Sequence, residues 1–254
     1  MCSHYQLCFS VALPQKGKTV TMVKIKDKQT GMCYLCGTEG IVTDDHVPPH
    51  CLAPKADNSI FYKLPAHAIC NRTLSVHEGR FRDYVAAYAK NGIQEAEDAF
   101  EKMQRNFERG KEGRGGLLNR DYYRLRDNIV FGETQIGEAR TSGGILLSPF
   151  VGIKLPQDLD YKAVLIKIAR GLHYHHTKEI IPNNYTTRAE FIFSDFERHN
   201  RYIKQLNISG QMGDFFRYKG IWVKNGPKKG GIWYMCFYRS IVGMAGFSQP
   251  SVSA

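Results

Sequence analysis

The sequence predicts an α+β protein: an N-terminal metal-stapled module, then helices, then a second α+β unit with antiparallel strands. Three observations carry this expectation. Cys, His, Asp and Asn cluster tightly within residues 26–82. Apolar residues recur at helical spacing over 79–108 and again after Asp160. Segments rich in aromatic and β-branched residues crowd the end of the chain.

Taken in order, residues 1–25 read as an irregular extension or an edge strand. The apolar stretch 7–13 has no basic residue before it, which makes it a poor signal peptide, and Met22 offers an alternative start. Residues 26–82 form the cluster module. Ala96, Phe100, Met103 and Phe107 fall on one helical face, and Asn91-Gly92 divides the helical stretch in two. Residues 83–120 hold these helices and a glycine-rich basic linker at 110–116. Tyr122 and Tyr123 stand among arginines just beyond it. That stretch is either a backbone-binding loop with stacking platforms or a solvated linker. Residues 121–254 form the second α+β unit. Its apolar run 144–147 suits a strand, and Asp160 caps a helix whose face holds Tyr161, Val164, Leu165, Ile168 and Leu172. Pro182 ends any helix there, and strands are expected over 189–193, 215–224 and 231–239, the last two joined as a hairpin.

Bulk properties narrow the function. At 254 residues and 43% hydrophobic content the chain can bury a core, and its net charge of +11 suits a polyanionic partner. No run of ~18 apolar residues is present, so no membrane span is expected. Seven cysteines, an odd number with no secretion signal, argue against a disulfide framework. They fit a cytoplasmic protein with a metal site.

The chemistry lies between Cys33 and Arg82. Cys33-Tyr34-Leu35-Cys36-Gly37 is a CxxC followed by glycine, the spacing of a zinc knuckle, and His67-Ala68-Ile69-Cys70 supplies a second pair. Cys33, Cys36, His67 and Cys70 together make a four-ligand structural zinc site. Between the pairs lies Asp45-His46-Val47-Pro48-Pro49, and Asn71 follows Cys70 directly. Over these roughly 50 residues the chain resembles the His-Asn-His (HNH) endonuclease superfamily. The match is to the branch with CxxCG, then DHVPP, then a Cys-Asn pair, here preceded by Pro65 and followed by Ser75 and Glu78. His67 stands where members of that branch usually carry Cys, and Ser75 where many carry a histidine ligand.

The resemblance implies a treble-clef-like ββα-metal fold and metal-dependent hydrolysis of DNA phosphodiester bonds. His46 becomes the base that takes a proton from water, a role its ordinary pKa near neutrality allows. Asp45 and Asn71 become oxygen ligands to Mg²⁺ or Mn²⁺. Glu78 either joins that ion through water or anchors the helix. Asn58 either orients the loop carrying the base or is plain turn chemistry. Arg72, near a helix start, is placed for a phosphate contact. A companion domain of unknown role suggests, by family analogy, a mobile element or bacterial antiviral defence, with a homo-oligomer or a regulatory partner engaged through the C-terminal part.

Other residues read as structural: Cys51, Trp222 and Trp233 as core, His77 as a surface helix position, and His173, His175 and His176 as a mixed helix end whose consecutive positions diverge too far to share a metal. The rival readings are a non-catalytic zinc-stapled nucleic-acid-binding protein, a sensor or interaction protein, and the same nuclease acting on RNA.

Overall fold

The computed structural model describes residues 29–53, 55–89, 93–111, 160–192, 201–224 and 229–250. The readings of residues 1–25, of Asn91-Gly92, of Tyr122 and Tyr123 and of 144–147 lie outside them; of the linker expected at 110–116, positions 110 and 111 end a helix and the rest lies outside the described residues. The described residues are mixed α+β with two antiparallel sheets.

The first sheet is built from β1 (Gln29–Met32), β2 (Glu39–Val47) and β3 (Tyr62–His67) in that order. Along β2 the side chains of Val42, Asp45 and Val47 are buried while those of Thr43 and Asp44 face solvent. The β2–β3 register sets Asp45 opposite Leu64 and His46 opposite Lys63. β2 ends at Val47, before Pro48, and single 3₁₀ turns at His50–Leu52 and Asn58–Ile60 carry the chain to β3. Helix α1 (Ala68–Ala89) starts directly from β3 and runs unbroken past position 82. Helix α2 (Gln94–Lys111) follows, with Glu95 and Glu97 in its first turn, where the helix dipole favours negative charge. Of the apolar face expected of it, Ala96 and Met103 are buried and Phe100 is packed against the core, with Ala99 buried as well; the side chain of Phe107 lies outside the described residues.

Helix α3 (Asp160–Thr177) buries Val164, Leu165, Ile168 and Leu172, as its periodicity requires. Each such side chain contributes about 1.5–3 kcal/mol by leaving water. The second sheet has β4 (Thr186–Ile192), β5 (Ile208–Met212), β6 (Phe216–Val223), β7 (Gly230–Phe237) and β8 (Ile241–Ser248) in the order β4-β8-β7-β6-β5. The three expected strands are β4, β6 and β7, and β6 and β7 pair antiparallel. Strands β5 and β8 were not anticipated. β8 reads Ile-Val-Gly-Met-Ala-Gly-Phe-Ser, poor in strand formers. Its small residues serve packing: a Cβ at Gly243 would lie 2.5 Å from Leu165 of α3.

α3 touches β4 and β8 on one side and α1, β2 and β3 on another, so it joins the two sheets. A single apolar cluster runs from Tyr34, Val47 and Phe61 through Leu165 and Ile168 to Phe215, Trp233 and Phe237. Hydrogen bonds cross the same junction: the Tyr238 hydroxyl donates to the Leu52 carbonyl at 2.5 Å, and the Tyr62 and Tyr218 hydroxyls meet at 2.8 Å. Trp233 is fully buried, as expected of a core residue. Trp222 is half-buried, with its ring 4.1 Å from that of His173.

His173 gives the fold a pH dependence. Burial pushes its imidazole down to about 4, with Arg170 and Lys224 adding to the effect and Glu179 opposing it. The unfolded chain takes up this proton near 6.5 and the folded chain near 4, so in that window the unfolded state holds the extra proton. The contribution of His173 is therefore fully present above pH 6.5 and declines as pH falls toward 4, by up to about 1.4 kcal/mol per pH unit. Thermal melts at pH 7.5 and pH 5 should show a larger drop in Tm for the parent than for His173→Gln. Equal drops would remove His173 as the cause.

Candidate metal centre and catalytic cleft

The four expected zinc ligands converge. Cys33 follows β1, Cys36 sits in the turn before β2, His67 closes β3, and Cys70 lies in the first turn of α1. Their ligating atoms all lie within 4.8 Å of one another, so the group can hold a metal ion. The knuckle is closed by backbone bonds from Gly37 N to the Cys33 carbonyl at 2.8 Å and from Cys33 N to the Thr38 carbonyl at 3.0 Å. Gly37 adopts φ 74°, the left-handed region where a Cβ is costly. Cys36 Sγ lies 3.4 Å from His67 Nδ1, while His67 Nε2 is buried without a hydrogen-bond partner among the described residues. Burial pushes the Cys36 thiol up, but bonds from Thr38 and the neighbouring thiols outweigh it and bring it to about 6, whereas burial and the same thiol neighbours push Cys70 up to about 12. The C-terminal half braces this turn: Arg170 donates to the Leu35 and Ile181 carbonyls, and Asn183 to the Cys36 carbonyl.

A cleft of about 420 Å³ opens between β2, the following 3₁₀ turn and α1. Asp45, His46, His50, Asn71, Arg72 and Glu78 line it. Asp45 and His46 are adjacent strand residues, yet both reach the cleft. The His46 ring lies 5.6 Å from His50 and edge-on to Phe61 at 5.8 Å. Partial burial lowers its pKa, the positive charges of His50 and Lys63 add to this, and Asp45 and Asp44 oppose it. The imidazole is thus neutral and able to accept a proton at neutral pH. Cys51 also borders the cleft, away from the four-ligand cluster, with its thiol pushed up to about 12 by burial. Ser75 also lines the cleft, where its hydroxyl donates to the Arg72 carbonyl at 2.8 Å. Asn58 opens the second 3₁₀ turn, and its side chain lies outside the described residues.

Asp45, Asn71 and Glu78 converge on one point, and that point holds the ammonium of Lys167. From Lys167 Nζ, the Asp45 oxygens lie at 2.9 and 2.8 Å and Asn71 Oδ1 at 3.0 Å, and Glu78 Oε1 is in direct contact. The Tyr34 hydroxyl donates to Asp45 Oδ2 at 2.6 Å, so both oxygens of this carboxylate are engaged. Lys167 is 1% exposed and Asp45 4%. Burial raises the Glu78 pKa while Lys167 pulls it back. The oxygen set fits a hard cation in type and number. As folded, however, the cation it encloses is the protein's own, and an ion cannot share the point with the ammonium.

Sequence reasoning brought Asp45, His46, Asn71 and Glu78 together but missed Lys167, which comes from α3, 89 residues beyond Glu78. The signal was a lone lysine inside the apolar stripe of that helix. Its placement depends on Gly171, one turn on, where a Cβ would stand 2.6 Å from Val47 of β2. Gly171→Ala should therefore destabilise the chain by about 1–3 kcal/mol through overpacking, against the ~1 kcal/mol that helix propensity alone would add to stability. A raised Tm in this variant would mean that α3 does not press on β2 as described. A scan against family models, a search of curated proteins and a search of solved structures each return no match to this chain.

Proposed function

We propose that this protein hydrolyses phosphodiester bonds in nucleic acid, DNA foremost, with His46 as general base. In this reading β2, β3 and α1 form a ββα-metal module of the HNH kind. Cys33, Cys36, His67 and Cys70 hold a zinc ion that fixes the strands to the helix. The observation that carries the reading is the shared cleft: a neutral His46, the Asp45–Asn71–Glu78 oxygen cluster and the Arg72 guanidinium open onto one space. His46 would take the proton as a water oxygen bonds to phosphorus and the P–O bond to the leaving sugar oxygen breaks. Arg72 is placed to hold a phosphate oxygen, and the overall charge of +11 favours a polyanionic substrate.

A divalent ion such as Mg²⁺ or Mn²⁺ supplies charge for the leaving oxyanion in chemistry of this type. The oxygens that would hold it are those bound to Lys167, so no step is assigned to it. The test is nicking of supercoiled plasmid by the zinc-loaded protein, with RNA digested in parallel and His46→Ala as the control. Equal nicking by parent and variant, or none by the parent in Mg²⁺, in Mn²⁺ or without added ion, would leave the non-catalytic nucleic-acid-binding reading in its place.

A further inference from the structure

We propose that Lys167 is the resident cation of the cleft's oxygen cluster and competes with divalent ions for Asp45, Asn71 and Glu78. The assignment builds on the reading of those three residues as the cation site of the nuclease, and it turns on the chain's own chemistry. An ammonium has three N–H donors and no acceptor. Asp45, Asn71 and Glu78 offer one acceptor group each, all within hydrogen-bond reach of Nζ. The three donors are thus matched by three residues, and with 1% exposure nothing is left for solvent.

Two features hold the lysine there. Its helix is fixed by the close approach of Gly171 to Val47 and by the buried Leu165 and Ile168 on its sheet-facing side. Withdrawing the ammonium would leave the Asp45 and Glu78 carboxylates facing each other in a buried site, and such uncompensated charge is strongly unfavourable. The distances also suit an ammonium better than a metal. The Asp45 and Asn71 oxygens lie 2.8–3.0 Å from Nζ, whereas Mg²⁺ needs about 2.0–2.1 Å and near-octahedral order. A divalent ion must therefore both evict a tethered competitor and contract its cage.

Lys167 does not face the cleft, so it acts by positioning. It holds Asp45 and Asn71 in place beside His46, and it keeps the two carboxylates from capturing a metal. Removing its charge should turn the same oxygens into a divalent-ion site.

Binding of Mn²⁺ to the zinc-loaded full chain, followed by the loss of the free-ion EPR signal, tests this directly. Lys167→Met, of similar length but uncharged, should bind one Mn²⁺ at least tenfold more tightly than the parent, and adding Glu78→Gln to it should abolish the gain. Equal affinity in parent and Lys167→Met would overturn the proposal. If Lys167→Met does not fold, Glu78→Gln alone decides: weak Mn²⁺ binding by the parent, unchanged in that variant, supports the competition, and tight binding lost in it refutes it. The outcome is separable from that of the nuclease reading. A parent that nicks plasmid through His46 yet binds Mn²⁺ through Glu78 overturns only the role of Lys167. A parent with the expected Mn²⁺ pattern but no nicking overturns only the nuclease.

Discussion

Stripping the metal from the Cys33–Cys36–His67–Cys70 group is expected to unfold the N-terminal sheet and lower the Tm by more than 10 °C. β1 has four residues, of which only Gly31 is even partly buried; the Cys33–Cys36 turn joins it to β2, and His67 and Cys70 join β3 to α1. Without an ion, three thiol-bearing side chains and an imidazole with an orphaned buried nitrogen are left crowded together. A structural zinc ion contributes on the order of 10 kcal/mol in small zinc modules, comparable to the whole stability of a typical domain. The shared apolar cluster will retain part of the structure, so a net loss of about 5 kcal/mol is a reasonable expectation. For a chain of this length that corresponds to roughly 10–20 °C. The measurement is elemental analysis for one zinc per chain, followed by melts before and after a tight chelator and after zinc is restored. Cys36→Ser should reproduce the chelated melt. A chain that carries no zinc as isolated, or that melts identically after complete chelation, refutes the staple.

The parts of this site legible in the sequence were those set by short-range spacing. CxxC, HxxC and the Asp-His pair each place their members within a turn or a strand, and all four thiol and imidazole ligands come together where spacing put them. The helix faces of α2 and α3 were legible because burial repeats every three or four residues. What escaped was long-range. Lys167 looks like an interruption of an apolar stripe until α3 is laid across β2. Only then does the cluster that appeared to lack a cation receive one from the other half of the chain. β8 escaped because its glycines and alanine lower strand propensity, and at Gly243 the missing side chain leaves room for Leu165 of α3. Ser75, which looked like the weak position in the ligand set, makes no contact with the ammonium, and Glu78 one turn further on does.

His46→Ala is expected to lower the nicking rate about 10²–10⁴-fold, the range for loss of a positioned general base. In free energy that is about 3–5 kcal/mol of transition-state stabilisation. The pH profile identifies the group responsible. Burial, with the charges of His50 and Lys63, holds the His46 pKa below its ordinary 6.5. A base acts in its deprotonated form, so the rate should fall as pH drops through that lowered value and be flat from about pH 7 upward. The acid limb must therefore lie below 6.5, and it should be missing from the residual activity of His46→Ala. Lys63 is exposed and sits opposite His46 in the β2–β3 register. Lys63→Gln removes a positive charge that disfavours imidazolium, so it should move the limb upward toward 6.5 while leaving the plateau rate in place. A limb that persists unchanged in His46→Ala, or that moves downward in Lys63→Gln, would assign the proton transfer to another group in the cleft, with His50 as the next residue to replace.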